Sequence, residues 1–80
     1  MTKLKIKLST FGEIKKFAEN VTKLESDVDI IKGNVIYDAK SIMGVIAMGT
    51  LDGVYVETHA SDEKEIEYFN ELMSEFLLED

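Results

Sequence analysis

Few side chains in this sequence could do chemistry. His59 is the single imidazole, and the chain has no cysteine and no arginine. With Glu57 and Asp62 nearby, His59 could ligate a metal or accept a phosphoryl group. One imidazole with scattered carboxylates falls short of the ligand count of a catalytic zinc site, so no metal is predicted. The plainer reading is a strand residue that faces solvent. Ser41 stands directly before an apolar run and fits a helix N-cap, a role worth about 1 kcal/mol. Phosphorylation would also suit that place, because negative charge at a helix N-terminus is favourable. Gly44 at N3 brings no competing carboxylate there. Thr10 and Glu13 have the spacing of a capping box. A carboxylate in that position competes for the amides with which a helix N-terminus holds an anion. The acidic run over 62–67 and Glu79-Asp80 read as solvated surface. Paired carboxylates for glycoside chemistry need a cleft, and a chain of 80 residues is too short to enclose one. No enzyme activity and no cofactor are predicted.

The elements that must position these residues follow from hydrophobic period. Residues 3–8 alternate strictly, so a first strand puts Leu4, Ile6 and Leu8 in the core. Phe11, Ile14, Phe17, Ala18, Val21 and Leu24 recur at three and four, which predicts a helix over about 11 to 25. Two short strands follow, about 28–32 and 34–38, joined by Gly33-Asn34 as a tight turn. Val28, Ile30, Val35 and Tyr37 are placed inward, Ile31 and Ile36 outward. Ser41 opens a short apolar helix over 42–48, closed by Gly49. Residues 50–53 read as a turn. A fourth strand from Val54 to Ala60 faces Val54, Val56 and Thr58 inward and Tyr55, Glu57 and His59 outward. A last helix begins at about Ser61, with Ile66, Phe69, Leu72, Met73, Phe76 and Leu77 as its stripe. Order β-α-β-β-α-β-α predicts a two-layer α+β domain, with helices on one side of a four-stranded, largely antiparallel sheet. Its other face is left to water.

Charge narrows the partners. All nine basic residues are lysines, eight of them in residues 1–40, while ten of the sixteen acids lie in 41–80. The net charge of −7 leaves no basic footprint for phosphates, so nucleic acid is excluded as a partner. Lys3, Lys5 and Lys7 on one strand read as a solvated face or edge protection. No apolar run approaches the roughly 18 residues of a membrane span. One soluble, cytoplasmic, complete small domain over 1–80 is the expectation.

Lys40-Ser41-Ile42-Met43-Gly44-Val45, followed by Met48-Gly49, resembles the regulatory segment of HPr, the phosphocarrier of the bacterial sugar phosphotransferase system. Thr22-Lys23-Leu24-Glu25-Ser26-Asp27-Val28 is similar to that family's passage from helix 1 into strand 2, and the two segments align without a gap. The resemblance implies an open-faced β-sandwich with three helices on one side. It also implies a phosphoryl-carrying histidine at the start of helix 1, in a His-Ala-Arg-Pro motif. The ungapped match puts Thr10 at the histidine, Gly12 at the arginine and Glu13 at the proline. It makes Ser41 a regulatory phosphorylation site. It makes Ile42, Met43 and Ile46, on a helix apolar nearly all round, a patch that docks protein partners. The expected function is a regulatory or protein-binding module without the phosphoacceptor histidine. The alternatives are a carrier working through an atypical residue, or an interaction domain unrelated to sugar transport.

Overall fold

The strict alternation of residues 3–8 forms β1, Lys3–Leu8, with Ile6 and Leu8 fully buried. The computed structural model describes residues 2–41 and 51–78. The expected helix over 42–48, with Ile42, Met43 and Ile46, lies outside these residues.

Helix α1 spans Phe11–Val21 and buries Ile14, Phe17, Ala18 and Val21. It is shorter than its period predicts. The Thr22 hydroxyl donates to the Glu19 carbonyl at 2.6 Å. The amides of Lys23 and Leu24 donate to Asn20 and Val21 at 3.1 and 3.2 Å, a tightened i to i−3 turn. Leu24 keeps the 3.6 period because it is in the core, although it is outside the helix. Phe11 leaves the stripe: as the first helical residue it is 60% exposed.

Strands β2, Val28–Lys32, and β3, Val35–Asp38, pair around Gly33. Gly33 takes φ of 61°, and Asn34 has an ordinary negative φ. Glycine alone at positive φ in the first loop position fits a II′ turn. Val28 and Ile30 are buried, and Tyr37 packs against the core. Val35, expected inward, is exposed, because its pairing with Lys32 sets it at the hairpin tip.

Strand β4, Leu51–Thr58, begins three residues before its predicted start. Ile6 pairs with Val54 but Lys7 pairs with Asp52, so Gly53 is an extra residue in β4. Its φ of 72° makes this a glycine bulge, not the predicted turn. Val54, Val56 and Thr58 are buried as the alternation requires.

Helix α2, Glu63–Met73, starts from Asp62, whose carboxylate accepts from the Glu65 amide at 3.3 Å. Phe69 and Met73 are buried, and a 3₁₀ turn, Ser74–Phe76, adds buried Phe76. Leu77, expected in the helical stripe, is exposed and extended. It bridges to Ile6, while the Leu78 amide donates to the Lys5 carbonyl at 3.0 Å. This segment covers the outer edge of β1.

The sheet is antiparallel throughout, in the order β1-β4-β2-β3. One core joins Ile6, Leu8, Val28, Ile30, Val54 and Val56 to Ile14, Phe17, Val21, Phe69, Met73 and Phe76. Both described helices therefore cover the same sheet face. Asn20 is buried between them, and its side-chain amide donates to the Leu72 carbonyl at 3.2 Å.

Candidate functional site

The start of α1 closes on itself. The Thr10 hydroxyl accepts from the Glu13 amide at 3.1 Å. Glu13 Oε1 in turn accepts from the amides of Ser9 at 3.0 Å and Thr10 at 3.1 Å. The predicted capping box is complete. It sets a carboxylate on the positive end of the helix, where an anion would otherwise be favoured.

His59 is far from this point. It follows β4, whose opposite end, Leu51, pairs with Leu8 just before α1. Eight strand residues separate the two ends, a span on the order of 20 Å at strand rise. His59 Nε2 instead lies 2.6 Å from Asp29 Oδ2 on the open sheet face. That hydrogen bond, with the charge of Asp29, raises the imidazole above its ordinary 6.5. A raised folded value means that the pair's contribution to stability is complete below the unfolded pKa and disappears as pH rises through the folded one. A proton NMR titration of His59 should therefore give a midpoint above 6.5, and Asp29→Asn should bring it down. A midpoint at or below the ordinary value in the unaltered chain contradicts this geometry.

Ser41 is exposed, and its amide donates to the Asp38 carbonyl at 3.1 Å. Its setting contains two contacts that no local pattern announces. Lys40 Nζ donates to the carbonyls of Leu24 at 2.7 Å and Glu25 at 3.3 Å. Across the same turn, Glu65 Oε1 accepts from the amides of Glu25 at 2.7 Å and Ser26 at 2.8 Å. Glu65 Oε2 accepts from the Ser26 hydroxyl at 2.8 Å. Donation by the Ser26 amide and hydroxyl, with the Glu25 amide and the nearby Lys40 charge, holds the Glu65 carboxyl below its usual range. Residues 24–26 are thus gripped through their carbonyls by Lys40 and through their amides by Glu65. A shallow cleft of about 490 Å³ beside this turn, lined by Lys23, Glu25, Asp62, Lys64 and Tyr68 among others, lies at the far end of α1 from Thr10.

Among the described residues, no group of three or more His, Asp or Glu converges as metal ligands. None of the described helices is long and apolar enough to cross a membrane. Ile42, Met43 and Ile46, expected from the sequence to dock partners, lie outside the described residues.

The family description "PTS HPr component phosphorylation site" matches residues 13–77. The chain belongs to the HPr family. Two solved HPr structures share its fold. HPr-C-His from Thermoanaerobacter tengcongensis is 24% identical, with a TM-score of 0.69 over 92% of each chain. The phosphocarrier protein HPr from Bacillus anthracis str. Ames is 23% identical, with a TM-score of 0.70 over 92% of each chain. No curated protein matches the chain. HPr is the phosphocarrier family of the phosphotransferase system, and its members work through contacts with other proteins of that system. The match opens at Glu13, the last residue of the capping box that begins at Thr10.

Proposed function

We propose that this HPr-family protein carries no phosphoryl group on histidine and acts as a cytoplasmic regulatory or protein-binding module of the phosphotransferase system. The observation that carries this reading is the Thr10–Glu13 box at the start of α1. A carrier needs a nitrogen nucleophile and amides free to hold a phosphate at a helix N-terminus. Thr10 offers a hydroxyl, whose phosphoester is a poor phosphoryl donor, and Glu13 offers like charge. The imidazole of His59 is bonded to Asp29 at the other end of the sheet.

Regulation falls to Ser41. Its exposure leaves the hydroxyl open to a kinase, and Lys40 supplies an adjacent cation. Phosphate there would compete with the Leu24 and Glu25 carbonyls for Lys40, since charge-assisted bonds to phosphate are the stronger kind. Protein partners would dock on the segment with Ile42, Met43 and Ile46. Incubation with ATP and the HPr serine kinase should add one acid-stable phosphoryl group, read by intact mass. Ser41→Ala should abolish it. An unmodified wild-type chain contradicts the regulatory reading and favours a plain interaction domain.

A further inference from the structure

We propose that the open sheet face is the contact of a symmetric dimer, with a second copy of this chain as its occupant. Pairing register arranges that face in rows across the four strands. One row is Lys5, Tyr55, Ile31 and Ile36; the next is Lys3, Glu57, Asp29 and Asp38. The first row is apolar over three strands, with Ile36 64% and Tyr55 41% exposed. Lys3, Lys5 and Lys7 stand along β1 on one side, and Asp29 and Asp38 on β2 and β3 on the other.

This pattern is complementary to itself about one direction of two-fold axis. An axis in the contact plane and parallel to the strands lays β1 of each copy over β3 of the other, and β4 over β2. Lys3 then meets Asp38, Tyr55 meets Ile31, and the aliphatic stem of Lys5 covers Ile36. An in-plane axis across the strands would set lysines against lysines. In the favoured arrangement Glu57 opposes Asp29. That repulsion is offset by Lys3 in the same row and by the hydrogen bond between Asp29 and His59. Lys3 Nζ already lies 5.1 Å from the Tyr55 ring centroid, so the cation and the apolar row share one surface.

The net charge of −7 opposes association, but the acid excess sits elsewhere, on the exposed Glu63, Glu67 and Glu71 of α2. Four strands about 4.8 Å apart, each with about five residues at about 3.3 Å, give a flat footprint of roughly 300 Å². Side-chain relief brings the total burial to about 1,000 Å², at the low end for specific interfaces. A reversible dimer with Kd on the order of 0.1 mM fits that size.

Sedimentation equilibrium of the full chain between about 10 µM and about 1 mM tests this. The wild type should show a reversible monomer–dimer equilibrium. Ile36→Lys, at an exposed site, should weaken it at least about tenfold by facing the partner copy's Lys5. Mixing Ile36→Lys with Lys5→Glu should restore a heterodimer, with thermal unfolding of each variant checking its fold. In the unaltered chain, amide shifts that move with concentration should cluster at Ile31, Ile36 and Tyr55. A wild type that is monomeric throughout, a dimer indifferent to Ile36→Lys, or shifts confined to α1 and α2 overturns the proposal.

Discussion

Phe17→Ala should remove about 3–5 kcal/mol of stability, the cost of deleting a fully buried aromatic ring and leaving a cavity. Phe17 has no exposed surface, and its ring meets Phe76 edge-on, with centroids 5.8 Å apart and planes at 74°. That contact ties α1 to the turn after α2. The chain segment beyond Phe76 then covers β1, so the loss spreads through both layers. Domains of this size hold only about 5–15 kcal/mol in total, so the loss is a large share of the folding free energy. Phe11→Ala, at the exposed first turn of the same helix, should stay within about 0.5 kcal/mol. Urea unfolding followed by circular dichroism at neutral pH measures both. Equal effects of the two substitutions contradict the placement of the core.

The second large effect is a gain. Thr10→His, Gly12→Arg and Glu13→Pro together should make the chain accept a phosphoryl group from phosphoenolpyruvate through the first enzyme of the phosphotransferase system. Thr10→His alone should not. In the single variant Glu13 still holds the amides of Ser9 and residue 10 and still repels an incoming anion. The combined variant removes that carboxylate and adds a guanidinium able to bind phosphate. The backbone accepts the changes. A Cβ at Gly12 would meet nothing closer than 3.8 Å, and proline is tolerated in the first turn of a helix. Intact mass before and after acid treatment separates a phosphohistidine from a phosphoester. An unmodified triple variant would show that the cap is not what blocks transfer.

Much of this architecture is legible in the amino-acid order, because its elements are set by local period. The alternation of residues 3–8, the stripe from Ile14 to Val21 and the Thr10–Glu13 spacing each satisfy a rule within one element. What escaped depends on partners distant in sequence. A glycine inside a strand and a glycine in a turn look alike until the opposite strand fixes the register, so Gly53 read as a turn. Leu24 continued the helical period because the core reaches past the helix end. Leu77 continued it too, but at Phe76 the chain leaves the helical path and lies along β1. Glu65 stands three residues after its N-cap, where a capping box would turn it back on its own helix. It reaches instead to Glu25 and Ser26, about forty residues earlier. The bond between His59 and Asp29 likewise needs β2 and β4 to be neighbours.

The most direct measurement is the intact mass of the wild-type chain after incubation with phosphoenolpyruvate and the first phosphotransferase enzyme, with a histidine-bearing HPr in the same reaction as the positive control. A helix start occupied by Thr10 and Glu13, with His59 at the other end of the sheet, predicts an unchanged mass while the control is modified. An acid-labile phosphoryl adduct on this chain, at His59 or anywhere else, would contradict it.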